Sequence, residues 1–170
     1  MAITRLGPNQ SVNLASNVTG TLPSGNLPNG SVIQVIRSYV ADSAYVQTTS
    51  TSLVASGIQA SITPTETGNL ILIDFVSTMA NASSNIGRSR MYQKIGSGSF
   101  AQMTGASNYH IGYISYSTNR YSPQTGSYSY TATSTDQLTF EPYIESPSGG
   151  TFSFVHVDAS YSLTLTEVKQ

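Results

Sequence analysis

The run Leu70-Ile71-Leu72-Ile73-Asp74-Phe75-Val76-Ser77-Thr78-Met79 is the most apolar stretch of the chain. It is too short to cross a membrane and carries Asp74. Gly68-Asn69 precedes it and a loop of small residues, 80–87, follows, so it reads as one strand bounded by turns. A strand apolar at nearly every position has both faces covered, which predicts the centre of a sheet or a subunit interface. Asp74 is the odd member. If buried there, its carboxylate needs a partner, and Arg37, Arg88 and Arg90 are the candidates. A catalytic role would require a second carboxylate across a cleft, which the sequence does not specify.

Working outward, the chain keeps the two-residue period of strands. Residues 31–40 form the first strand, and 44–51 are polar and β-prone. Ile58, Ala60 and Ile62 alternate with Gln59, Ser61 and Thr63 until Pro64 stops them. Residues 88–95 set Arg90, Tyr92 and Lys94 outward against Met91 and Ile95. Gly96-Ser97-Gly98 marks a hairpin leading to Phe100 and Met103. A strand over 109–116 leads to a loop tip at 117–126, which contains Pro123 and Gly126. Strands at 128–133 and 137–144 flank Ser134-Thr135-Asp136 as a second hairpin. Residues 152–158 and 161–168 close the chain. No window has the apolar spacing of a helix. The expectation is an all-β, jelly-roll-like β-sandwich of about eight strands.

Composition agrees. Only 9% of the 170 residues are charged, while 28 Ser and 20 Thr are joined by 11 Tyr and 5 Phe, which favours strands over disorder. A net charge of −1, with seven scattered Lys and Arg, offers no basic stripe for nucleic acid and no field for an anionic membrane. The chain has no Cys, which removes disulfides and thiolate metal sites, so stability rests on packing or association. Met1 leads into a polar segment without a signal-peptide core, and synthesis in a cytosol is expected.

Residues 1–30 read differently from residues 31–170, the head domain. Pro23 and Pro28 each remove a donor, and Gly20, Gly25 and Gly30 favour turns. Yet Leu14, Val18, Leu22 and Leu27 recur every four or five residues, too apolar for a solvated linker. The segment is expected to be an extended N-terminal attachment arm whose apolar pegs seat on another chain.

No catalytic constellation emerges. A Ser-His-Asp set lacks a nucleophile elbow, and phosphate loops are absent. His110 and His156 are the only histidines; Asp158 shares a strand face with His156, but no third ligand is in view. A polar strand face outweighs a metal site there, and no metal or cofactor is expected. Arg88 and Arg90, with Lys94, read as a solvated face ahead of an anion site. Tyr109, Tyr113, Tyr116, Tyr121, Tyr128 and Tyr130 crowd into one part of the chain. They read equally as a recognition patch for glycan or protein and as cross-strand filler, since alternation turns about half of them inward.

Two stretches together carry a resemblance. Asn13-Leu-Ala-Ser-Asn-Val-Thr-Gly-Thr-Leu-Pro23 resembles the linker repeated in tail fibres and other virion proteins of tailed bacteriophages. The body is similar to small virion proteins of marine and cyanobacterial phages. The matching parts are Gly30-Ser-Val-Ile-Gln-Val-Ile36, the Ser/Thr-rich 47–52, Gly57-Ile-Gln-Ala-Ser-Ile-Thr-Pro64, Asn69-Leu-Ile-Leu-Ile73 and Ser162-Leu-Thr-Leu-Thr-Glu-Val168. The resemblance implies a non-enzymatic protein of the virion surface, a homotrimer with a jelly-roll-like head and no catalytic residues. The expected partners are the major capsid protein or another virion protein, as for a decoration (cement) protein or head fibre. The alternative is a tail fibre tip that recognises host glycan, with an enzyme such as a polysaccharide depolymerase a weaker third.

Overall fold

The computed structural model describes residues 26–40, 46–81, 85–103, 112–116, 120–155 and 160–170. They form twelve strands: β1 (Val32–Val40), β2 (Val46–Thr48), β3 (Val54–Ala55), β4 (Ala60–Ile62), β5 (Leu70–Asn81), β6 (Asn85–Ile95), β7 (Ala101–Gln102), β8 (Gly112–Tyr116), β9 (Arg120–Thr131), β10 (Leu138–Glu145), β11 (Phe152–Val155) and β12 (Tyr161–Val168). Among the described residues there is no α-helix, and no helix is long and apolar enough to cross a membrane.

Short strands lie end to end along a shared neighbour and merge into ribbons. β11 and β12 both pair with one edge of β5, while β2 and β1 continue that sheet beside them. β9 runs along the other edge of β5. In the second sheet β4 and β3 share one edge of β10, and β7 and β8 share the far edge of β6. All pairings are antiparallel. In space the first sheet reads β9, β5, β11/β12, β1/β2, and the second reads β3/β4, β10, β6, β7/β8. The result is a sandwich of two four-ribbon sheets.

The core lies between the sheets. Ile71, Ile73, Phe75, Met79, Phe152, Phe154, Leu163 and Leu165 from the first meet Met91, Ile114, Leu138, Phe140 and Ile144 from the second, with Ile58 and Ile62 closing one side. Phe75 and Phe154 stack at 5.0 Å, and Phe152 meets Phe154 edge-on at 6.4 Å, arrangements that favour aromatic pairs beyond simple area burial.

Several expectations change. The 70–79 run is central in its sheet, but the described residues cover only one of its faces: Ile71, Ile73, Phe75, Ser77 and Met79 are buried, while Asp74 and Val76 are exposed. Asp74 is therefore hydrated, with no ion pair among the described residues. Ser134-Thr135-Asp136 does not turn a hairpin, because β9 and β10 belong to different sheets and residues 132–137 cross between them. Part of the supposed loop tip at 117–126 is strand, since β9 begins at Arg120. Pro123 and Gly126 are tolerated because, among the described residues, β9 is an edge strand paired with β5 alone.

Pro142 explains a break in the opposite edge. Its carbonyl accepts from the Ser56 amide at 3.1 Å, so its missing N–H faces the β3/β4 ribbon. There β3 and β4 part company, and Gly57 takes a positive φ of 78°. The Gly57 amide donates instead to the buried Glu141 carboxylate at 2.7 Å, and Gln59 Nε2 donates to its other oxygen at 2.8 Å.

Candidate functional site

The two outer faces of the sandwich and one buried carboxylate carry the chemistry. On the second sheet, alternation turns Arg88, Arg90, Tyr92 and Lys94 of β6 outward beside Glu141, Tyr143 and Glu145 of β10. The expected solvated face is instead knitted together. Arg88 Nη1 and Arg90 Nη2 lie 3.5 Å and 4.0 Å from Glu145 Oε1, and Arg90 Nη1 donates to Gln102 Oε1 at 3.3 Å. Tyr92 and Tyr143 stack with centroids 4.0 Å apart, Phe100 leans on Tyr143, and Lys94 Nζ sits over Phe100 at 5.1 Å. Burial, then the negative charge of Glu141, raises the Tyr143 phenol above its ordinary value.

The crowded tyrosines do not form one patch. Tyr128 and Tyr130 face inward and pack on the core. The Tyr128 ring covers Gly126, where an added Cβ would fall 2.8 Å from the phenol oxygen. Burial pushes the Tyr128 phenol up to about 12. Tyr113 is exposed on the second sheet opposite Arg88, and Tyr121 is exposed on the first. Tyr116 lies in β8, and Tyr109 is outside the described residues. Sequence proximity missed the set that does assemble, Tyr92, Phe100 and Tyr143; the signal was alternation on 88–95 and 138–145, read across strands.

The first sheet presents a different outer face. Its central rows, read from β1 across β12 and β5 to β9, are Val35–Thr166–Leu72–Ser129, Arg37–Thr164–Asp74–Ser127 and Tyr39–Ser162–Val76–Thr125. Val35 is 56% exposed, Tyr39 52% and Val76 46%. Arg37 lies over the Tyr39 ring at 4.9 Å. Large exposed aliphatics among Ser and Thr make this the least solvated-looking surface described.

At one end of that sheet Glu167 is fully buried on the inner side. Gln34 Nε2 donates to Oε2 at 2.6 Å; the Thr65 amide and hydroxyl and Asn69 Nδ2 donate to Oε1 at 2.8, 2.8 and 2.7 Å. Desolvation pushes this carboxyl up, but the hydrogen bonds together outweigh it and hold it below the ordinary carboxylate value. The cluster ties β1, the 63–69 turn and the C-terminal strand into one corner.

Of the arm, Leu27 is half-buried, just before a turn in which the Ser31 amide donates to the Pro28 carbonyl at 3.1 Å. Gly30 and Ser31 then pair with Lys169, so the segment enters the sandwich beside the C-terminal end of β12. Leu14, Val18 and Leu22 lie outside the described residues, as do His110, His156 and Asp158. Among the described residues no group of three His, Asp or Glu could hold a metal ion. No protein-family model matches the chain, and a search of curated proteins returns no match.

Proposed function

We propose that the sandwich is wound as a jelly roll and that the chain is a non-enzymatic structural protein of a bacteriophage virion. In this reading it is a homotrimeric decoration or head-fibre protein, displayed on the particle surface and anchored by residues 1–30 to the major capsid protein or another virion protein. The observation that carries the reading is the ribbon order. Numbered along the chain, the ribbons lie first–eighth–third–sixth in one sheet and second–seventh–fourth–fifth in the other. That is the order of a doubled Greek key, an architecture used by capsid and lectin domains. The resemblance of residues 13–23 to phage linkers adds the arm, whose pegs Leu14, Val18, Leu22 and Leu27 gain a hydrophobic partner by docking. Three arms engaging together would supply avidity. The test is removal of residues 1–30: the head remains folded and no longer binds particles. Continued decoration by the truncated protein would refute the arm's role.

A second reading, a fibre tip that binds host glycan, is favoured by the aromatic set Tyr92, Phe100 and Tyr143 with the exposed Tyr113 on one face. Glycan-array binding by the whole protein that is lost in Tyr113→Ala would favour it; an array without signal would remove it.

A further inference from the structure

We propose that the outer face of the first sheet is a self-association surface, on which two copies of this chain pack face to face about a two-fold axis running along β12. Such an axis exchanges the strands on either side of β12, so residues of β1 in one copy face residues of β5 in the other. In the central rows each exchange matches chemistry. Val35 meets Leu72 of the second copy, and Tyr39 meets Val76. Arg37 meets Asp74, and by symmetry Asp74 meets Arg37, forming two reciprocal ion pairs. These are the only charged side chains in the three central rows, one of each sign, in the same row and equally spaced from β12. Thr164 lies on the axis and meets its own copy, with Ser162 and Thr166 above and below.

The match is specific to this axis. A two-fold running across the strands would keep β1 opposite β1, setting Arg37 near Arg37 and Asp74 near Asp74, which like-charge repulsion disfavours. Sheets that pack aligned cross at about 30°, and this tilt displaces the outer rows while leaving the row at the axis in register. The ribbons that overlap about this axis are β1, β12 and β5, roughly 10 Å between outer strands and roughly 30 Å along them, the scale of a small, weak or transient interface. The pairing also accounts for the sequence of β5, apolar on both faces although the described residues cover only one. It is independent of the virion reading and of any threefold association through another surface.

The absence of cysteine permits a direct test. Thr164→Cys gives one thiol per chain on the axis, and Ser115→Cys gives one on the exposed face of the other sheet. With sheets about 10 Å apart, a short bis-maleimide such as bismaleimidoethane cross-links the first variant to a covalent dimer on a denaturing gel, and the second much less. In the Thr164→Cys background, Arg37→Asp reduces the dimer at least about tenfold, and adding Asp74→Arg restores it. Circular dichroism of each variant separates lost association from lost folding. Equal yields from positions 164 and 115, or failure of the reversed pair to restore cross-linking in folded protein, would overturn the proposal.

Discussion

The ring of Phe152 lies directly on the backbone of Gly87: a Cβ at Gly87 would fall 2.6 Å from Phe152 Cγ and closer still to Cδ2 and Cε2. Gly87 belongs to the second sheet and Phe152 to the first, so this contact sets how closely the two approach there. Any side chain at position 87 must displace a fully buried ring. Gly87→Ala is expected to destabilise the protein by about 2–3 kcal/mol through overpacking. Phe152→Leu in the same chain relieves the clash, and a double-mutant cycle from chemical denaturation should show coupling of at least about 1 kcal/mol. Additive effects would mean the sheets adjust independently.

The Glu167 corner predicts a dependence on acid. A carboxyl whose folded value lies below its unfolded one contributes stability that is complete above the ordinary carboxylate range and is lost as pH falls through the folded value. The midpoint of thermal unfolding should therefore fall in that acidic window. Glu167→Gln turns an amide donor toward groups that already donate, and at neutral pH should cost about 2–4 kcal/mol. The gap between the two proteins should narrow as pH falls. A gap unchanged by pH would contradict the buried ionised carboxylate.

Tyr128 predicts the opposite limb. Its phenol stays neutral in the fold up to about 12, whereas an unfolded tyrosine releases its proton near the ordinary value of about 10. Between those values the unfolded state binds fewer protons, so stability falls as pH rises. Tyr128→Phe should soften this alkaline loss, and ultraviolet titration should show one fewer late-ionising tyrosine. Tyr143 and Tyr161 are also raised, so the loss is reduced but not abolished.

Glu145 predicts a local rather than global effect. Its carboxylate is mostly buried beside Arg88 and Arg90, and Glu145→Ala leaves two guanidinium groups with less compensation. The expected cost is about 1–3 kcal/mol, with the central β5–β12 pairing retained. Amide exchange should quicken in β6 and β10 first. Uniform quickening across both sheets would show that the pair is needed by the whole sandwich.

Local alternation was legible wherever one face is buried and the other wet. Tyr161–Val168 alternates buried and half-buried residues without a fault, and Ile58, Ala60 and Ile62 are buried as their spacing demands. The Ile95 prediction failed, since that residue is 37% exposed at the end of β6. The 128–144 segment failed for a deeper reason: a turn such as Ser134-Thr135-Asp136 specifies a change of direction, not which sheet the next strand joins. Asp74 failed because side-chain apolarity does not reveal whether the second face is covered by the same subunit. From sequence Pro123 reads as loop, since edge status depends on which strands lie beside it.

What the sequence determined by itself was short-range: all-β character, the placement of most strands and the residues that alternate, because backbone geometry repeats every two residues. The tertiary structure alone decided the partners. It brought Gln34, Thr65 and Asn69 to Glu167, turned Tyr128 and Tyr130 inward but Tyr113 and Tyr121 outward on different sheets, and set Arg37 and Asp74 in one row. These are contacts across tens of residues, fixed by which ribbons share a sheet and in what register, and no local spacing encodes that.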